Sequence, residues 1–475
     1  MKNPYRVKGW IPCAAQFVAL LAFMTSLNGQ TPDGAQPESG TKTVPADSPS
    51  TSDPVVVSAL EILRDECISC HKPGKTKGGL RLNTADGLKA GGESGPVIKP
   101  NRSAESLLYS VLLQEGDPHM PPKKQLTPSQ IQALGKWIDS GAHWDDTVME
   151  QPPKVAPVEL KPLPASIKPV LSIAFSPDGT RVCISRGGEV QVRDAKQPKF
   201  PIQISFSAHQ EIVGSVAWSP DGGKLATGGF RRVRFWQSAD GAADGEISEG
   251  LVGEVTSLVW EKSGENVWIA DSLASRAGFI HQLALPSRKW GRTWKAHEDS
   301  VYGMALSADG KWLASAGADK LARRWEIKSG NLAATYEGHT NQVLGVAFDP
   351  ILPRIATIGA DREFKIWDSE SREQDAVLGD KKQVFAALGW SRDSTKDGSR
   401  LAAVTDRGSG SVFSAIQKHT GAQRSDTAKE QKLEKVDAVL QCVALSPDGT
   451  QVIAGASDGR TFAWSAADGK LLPIE

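Results

Sequence analysis

The chain has 475 residues, more than one ordinary compact core holds, so two or more domains are expected. Its 55 lysines and arginines balance its 55 aspartates and glutamates, which removes the basic excess that nucleic-acid binding calls for. Fourteen tryptophans, 46 glycines and 39% hydrophobic residues fit a strand- and turn-rich protein, and five cysteines are too few and too scattered for a disulfide framework.

Lys2, Arg6 and Lys8 precede a mostly apolar stretch, residues 11–27, which leads into Ser26-Leu27-Asn28-Gly29. This predicts an export signal over residues 1–29, either cleaved or retained as a membrane anchor. In both cases the rest of the chain would work outside the cytoplasm, in a periplasm or otherwise exported. Cys13 lies too early in the apolar run for a lipoprotein. Residues 30–54 are rich in Pro, Ser, Thr, Gly and Asp and too poor in apolar surface to offset chain entropy, so they read as a disordered tether. A second proline-rich stretch, residues 150–168, reads as a stiffer spacer.

Between the two lies a helical segment, residues 55–149. Residues 55–67 place Val56, Leu60 and Leu63 on one helical face. Ser103 is expected to cap a helix carrying Leu107, Leu108, Val111 and Leu112. Thr127-Pro128-Ser129-Gln130 is a capping box with proline at the first helical position. It opens a helix bearing Ile131, Leu134, Trp137 and Ile138, which Gly141 ends.

Cys67-Ile68-Ser69-Cys70-His71 is the C-x-x-C-H attachment pattern of a c-type haem. Two thiols one helical turn apart can add to the two vinyl groups of one porphyrin, and the next histidine then meets the iron. A redox C-x-x-C would need a surrounding βαβ pattern, which the segment lacks. Zinc would need two further ligands, and Cys183 and Cys442 lie far off in the repeats. One covalent haem c is therefore expected, on Cys67 and Cys70, with His71 as proximal ligand. Met120, in His119-Met120-Pro121-Pro122, leads for the second ligand, because no other methionine occurs between the signal and Trp144. His119 and His143 compete with it. Methionine would raise the reduction potential relative to bis-histidine ligation.

The segment from Cys67 to Trp144 resembles the planctomycete-type cytochrome c domain. The matching stretches are CISCHKPGKTKGGLRLNT, GGESGPVIKPNRSAESLLYSVL and HMPPKKQLTPSQIQALGKWIDSGAHW. The resemblance implies a small all-α fold, haem attachment at Cys67 and Cys70, and iron ligation by His71 and Met120, with Pro121 and Pro122 matching the family's M-P-P element. Asn101-Arg102 departs from the acidic residue more usual before that helix.

From residue 169 onward, seven copies of one strand pattern follow. Their anchors are Phe175, Trp218, Trp260, Leu306, Phe348, Trp390 and Leu445, spaced 42–46 residues apart with a last interval of 55. Four carry the turn Ser-x-Asp-Gly, at Ser176, Ser219, Ser307 and Ser446, where Asp-Gly tolerates positive φ. One such sheet cannot bury both faces, so seven blades should stack around an axis. This stretch resembles the WD-repeat propeller family. Two repeats carry that family's structural hydrogen-bond set in full: His297, Ser315, Asp319 and Trp325, then His339, Thr357, Asp361 and Trp367. Recurrence at the repeat period makes these sets structural rather than catalytic. The first, second and sixth blades should be locally weaker, with Arg193 and Phe413 near the tryptophan position and Phe230 at the aspartate's. Cys183 and Cys442 align with small residues and read as two buried thiols. Residues 421–435 read as an exposed loop.

Together these features predict a multidomain chain, a small all-α cytochrome c domain followed by an all-β seven-bladed WD-repeat propeller. The expected function is one-electron transfer by an exported cytochrome, more an electron carrier than an enzyme. A redox partner protein and a protein docked on the propeller are the expected partners, with membrane contact only through a retained N-terminal segment. Two alternatives stay open. One is a redox enzyme with an open iron site or a second cofactor, as in haem-containing nitrite reductases that join a cytochrome c domain to a propeller. The other is a haem-bearing scaffold or sensor.

Overall fold

The computed structural model describes residues 53–73, 75–153, 168–379, 382–391, 398–414, 416 and 428–474. The expected export signal, nearly all of the tether and most of the proline-rich spacer lie outside these residues. Among the described residues no helix is long and apolar enough to cross a membrane. Those residues fall into two compact units, one up to residue 153 and one from residue 168.

The first unit has five short helices: α1 (Pro54–Ile62), α2 (Ala85–Ala90), α3 (Leu107–Ser110), α4 (Pro128–Asp139) and α5 (Asp146–Glu150). Each of α1, α2, α4 and α5 starts where a side-chain oxygen meets an orphan backbone N–H. Asp53, Thr84, Thr127 and Asp145 accept from Val55, Gly87, Gln130 and Thr147. At α4 the capping box is complete, with the Thr127 N–H donating to Gln130 Oε1 at 2.9 Å. Packing of α1 on α4 buries Leu60, Leu63, Leu134, Trp137 and Ile138 completely. Each such side chain contributes about 1.5–3 kcal/mol. The Trp137 indole donates to the His143 carbonyl at 2.7 Å, so its polar atom is satisfied inside the core. Gly135 is needed where Tyr109 lies on α4, since a Cβ there would sit 2.9 Å from the ring.

Three local expectations change. The first helix ends at Ile62 and widens into a π turn, Leu63–Cys67. Ser103 does not cap a helix: it begins a 3-10 turn, Ser103–Glu105, and its hydroxyl and N–H both donate to Asp139 at the end of α4, at 2.9 and 2.8 Å. The unit is also not wholly helical, because His71–Lys72 pairs antiparallel with Lys75–Thr76.

The second unit is a seven-bladed β-propeller. Its four-stranded antiparallel sheets span residues 173–207, 215–247, 254–297, 301–336, 343–378, 385–432 and 440–472, each built of consecutive strands. All seven anchors end the first strand of their blade. The second strands are buried almost throughout, as Arg354–Gly359 is at every residue, because they are covered by neighbouring blades on both faces. The Ser-x-Asp-Gly turns have a lock beyond the glycine. The serine hydroxyl donates to the aspartate and accepts the N–H that opens the next strand, as in Ser176 with Asp178 (2.6 Å) and Arg181 (2.9 Å). The same pair recurs at Ser219, Ser307 and Ser446. The ring closes by packing the first strands of blades one and seven together, with the Val170 N–H donating to the Ala456 carbonyl at 3.0 Å. Part of the expected loop over 421–435 is instead strand, since Lys429–Lys432 is the outer edge of blade six.

Candidate functional site

The C-x-x-C-H motif starts where α1 runs into its π turn. The Ile68 N–H reaches back to the Leu63 carbonyl at 3.1 Å, the wider step that defines the turn. The chain then turns twice more, Cys70 N–H to Cys67 and His71 N–H to Ile68, both at 3.2 Å. Cys67, Cys70 and His71 thereby all line one cavity of about 380 Å³. Its walls are mostly apolar, with Leu80, Leu82, Val97, Leu108, Val111 and Leu112 among them. Met120 lines the same cavity, and its backbone is pinned by a 2.7 Å hydrogen bond from its N–H to the Val111 carbonyl.

Neither competing histidine is part of that lining. His119 points its Nε2 at Gln125 Oε1, 2.7 Å away, and Gln125 in turn donates to the Leu112 carbonyl. His143 is exposed. Burial pushes the Cys67 thiol up to about 12, with the Glu66 charge and Cys70 adding to it, unlike the lowered thiol of a redox C-x-x-C. Burial also holds the His71 imidazole below its ordinary value, against the backbone carbonyls of Leu80 and Lys77, so the ring is neutral at pH 7 as a metal ligand must be. His71 Nδ1 is buried without a hydrogen-bond partner. Among the described residues no group of three or more His, Cys, Asp and Glu is arranged to hold a metal ion by itself. A mostly apolar cavity in the ordinary size range of cofactor sites, two thiols, an imidazole and a thioether do fit a haem.

The propeller also has an open depression of about 670 Å³ between blades six and seven, lined by Asp406, Arg407, Lys435, Asp437 and Asp458 among others. It is larger than the cavity at Cys67 but contains no thiol, thioether or imidazole, so it does not compete with that cavity as a haem site.

The two full repeat sets form as paired hydrogen-bond chains. His297 sits between Asp319 (2.9 Å) and Ser315 (2.7 Å), and Trp325 donates to the same Ser315 hydroxyl. His339 sits between Asp361 (2.9 Å) and Thr357 (2.8 Å), with Trp367 on Thr357. Burial alone would raise the Asp319 carboxyl, yet hydrogen bonding from His297 and the Arg323 charge outweigh it and hold it far below the usual range.

Two further sets escaped the sequence reading. In blade two, His209 bonds Thr227 at 2.8 Å and Trp236 donates to the same hydroxyl. Glu211 stands in for the aspartate that Phe230 displaces, 3.2 Å from His209. The only sequence signal was an acidic residue two positions after a histidine. Glu254 nearby is pushed up to about 7, by its burial and then by the Glu211 charge. In blade three, His281 links Asp271 (2.8 Å) to Thr293 (3.0 Å) inside the sheet, and no repeat signal marks it. Where the tryptophan is missing, Arg193 is buried and donates to Gln191 and to the Phe200 carbonyl, while Phe413 packs edge-on against Phe364. Cys183 is a free, fully buried thiol. Cys442 belongs to another core cluster, its Sγ 3.5 Å from the Val170 carbonyl.

Comparison with known families finds a match to planctomycete cytochrome C over residues 67–124. It also finds the WD domain, G-beta repeat, at residues 200–237, 288–326, 330–368 and 435–465. Among curated relatives, the WD repeat-containing protein slp1 of Schizosaccharomyces pombe is 29% identical over 180 residues, 34% of this chain and 33% of that one. Cell division cycle 20.5, cofactor of APC complex, from Arabidopsis thaliana is 34% identical over 130 residues, 26% of this chain and 27% of its own. The protein groucho of Drosophila melanogaster is 27% identical over 163 residues, 34% of this chain and 21% of its own. The chain thus spans a third or less of the length of these relatives. It joins a cytochrome-like domain of the planctomycete type to a WD-repeat β-propeller.

Proposed function

We propose that the N-terminal unit is an all-α-type cytochrome c domain that holds one haem c and exchanges single electrons, while the propeller is its protein-docking platform. The observation that carries this reading is the gathering of Cys67, Cys70, His71 and Met120 around one mostly apolar cavity. The Cys67 and Cys70 thiols would each add across a vinyl group, sulfur to one carbon and hydrogen to the other, with no net oxidation. His71 would supply the proximal nitrogen and Met120 the opposite thioether. Leu80, Leu82, Val97, Leu108, Val111 and Leu112 would keep water from the ring faces. When bound, haem supplies a one-electron iron couple, and a methionine-histidine pair favours its reduced form relative to two histidines.

The docking role rests on the propeller and on relatives one of which is named as the cofactor of a complex. The redox partner would be a second protein, and the basic and then apolar N-terminal residues favour an exported location. The test is a visible spectrum of protein matured in a periplasm with haem-attachment machinery, with a haemochrome assay after denaturation. One covalent haem, with a thioether-to-iron band lost in Met120→Ala, is the expected result. Haem without that band would favour an open or histidine-ligated iron, and so catalysis or sensing. No covalent haem would sink the reading.

A further inference from the structure

A haem carries two propionate carboxylates, and an apolar cavity must meet them with donors where its wall becomes polar. Apart from Cys67, Cys70 and His71, the charged or hydroxyl-bearing side chains of this lining are Glu66, Lys77 and Ser94. Glu66 is an anion already paired with Lys124 at 2.6 Å, on the part of the wall that holds the thiols. Lys77 is the sole cationic side chain among the described lining residues, and its ammonium pairs with no carboxylate among the described residues. Its charge already bears on the His71 ring.

The backbone explains why Lys77 and Ser94 come near each other in the lining. The Glu93 N–H donates to the Gly78 carbonyl at 2.8 Å, clamping the turn after Lys77 to the turn before Ser94. The clamp needs glycine on both sides. A Cβ on Gly92 would fall 2.5 Å from the Gly78 carbonyl, and Gly78 itself has φ +64°. The result is a polar lip, Lys77 and Ser94, in the lining of a mostly apolar pocket.

We propose that this lip is the propionate anchor of the site, with Lys77 as counter-ion to one carboxylate and Ser94 as a hydroxyl donor. The inference rests on the haem reading above and adds its charge partner. A cation held at a propionate stabilises the reduced, less positive iron less than a bare cation would, yet still favours reduction over a neutral side chain at the same place. The experiment uses the full, haem-loaded chain with Lys77→Gln, Lys77→Arg and Ser94→Ala, and with Lys89→Gln, an exposed lysine outside the lining, as the charge control.

Covalent haem is first counted by haemochrome, then midpoint potential and the resonance Raman propionate-bending band are measured. Lys77→Gln is expected to lower the potential more than Lys89→Gln and to shift the propionate band. Lys77→Arg should restore both, and Ser94→Ala should shift the band with little change in potential. Equal potentials for Lys77→Gln and Lys89→Gln, with an unmoved band and haem fully retained, would overturn the anchor alone. Absence of covalent haem in the wild-type chain would overturn the haem reading and the anchor with it.

Discussion

In the propeller, His209, His297 and His339 each commit both ring nitrogens to nearby side chains, and all three are buried. In the N-terminal unit, His71 leaves a buried Nδ1 without a partner, beside a cavity that also receives two thiols and a thioether. The chemistry-bearing residue types are similar in the two regions, but their degree of completion differs. The propeller sets are closed circuits and therefore architecture. The set at His71 instead lines an apolar cavity together with two thiols and a thioether.

The contrast breaks most sharply at the thiols. Cys67→Ser with Cys70→Ser is expected to abolish covalent haem completely while leaving the propeller's calorimetric transition where it was. Retained covalent haem in that double variant would end the comparison. In the propeller the largest expected loss is at blade three. His281→Ala leaves Asp271, a fully buried carboxylate, with the backbone N–H groups of Val252 and Gly253 as its remaining donors. A loss of about 3 kcal/mol is expected in denaturant unfolding, with haem content unchanged. A loss below about 1 kcal/mol would mean that the pair contributes little.

A finer test compares blades two and five. Asp361→Ala removes the carboxylate that also accepts from the N–H groups of Thr340 and Glu363, so it should cost about 2 kcal/mol. Glu211→Ala removes one long hydrogen bond to His209 but also relieves the charge that raises Glu254, so it should cost less. Equal losses would show that Glu211 is a full replacement for the aspartate.

What could be read from sequence was local or periodic. The capping box at Thr127, the thiol spacing at Cys67 and the seven strand-ending anchors each depend on residues a few positions apart or on one repeated interval. What could not be read depends on register or long separation. Ser103 and Asp139 meet across 36 residues, and nothing in either neighbourhood announces the other. Asp271 and His281 meet only because a hairpin sets them on adjacent strands. Glu211 lies outside the repeat's usual place for the acid, the turn after the second strand, where Phe230 stands. Met120 could be favoured from composition, but its place in the cavity wall, with His119 turned to Gln125, needed the loop's actual path.

The smallest expected effect is on acid stability, and it carries the same contrast into solution. Burial holds His297 below the ordinary histidine value of 6.5, outweighing the hydrogen bond it donates to Asp319, so the folded propeller refuses a proton that the unfolded chain accepts. Stability from this group is therefore complete above about pH 6.5 and falls as pH drops towards the lower folded value. Asp319, held well below its ordinary range, acts with the same sign at still lower pH. The propeller transition should move down in temperature between pH 7.5 and 5.5, and His297→Gln, which cannot titrate, should flatten that slope while lowering the plateau at neutral pH. A variant with the wild-type slope would show that the acid sensitivity lies elsewhere, and that a closed circuit in this propeller is as indifferent to protons as it is to ligands.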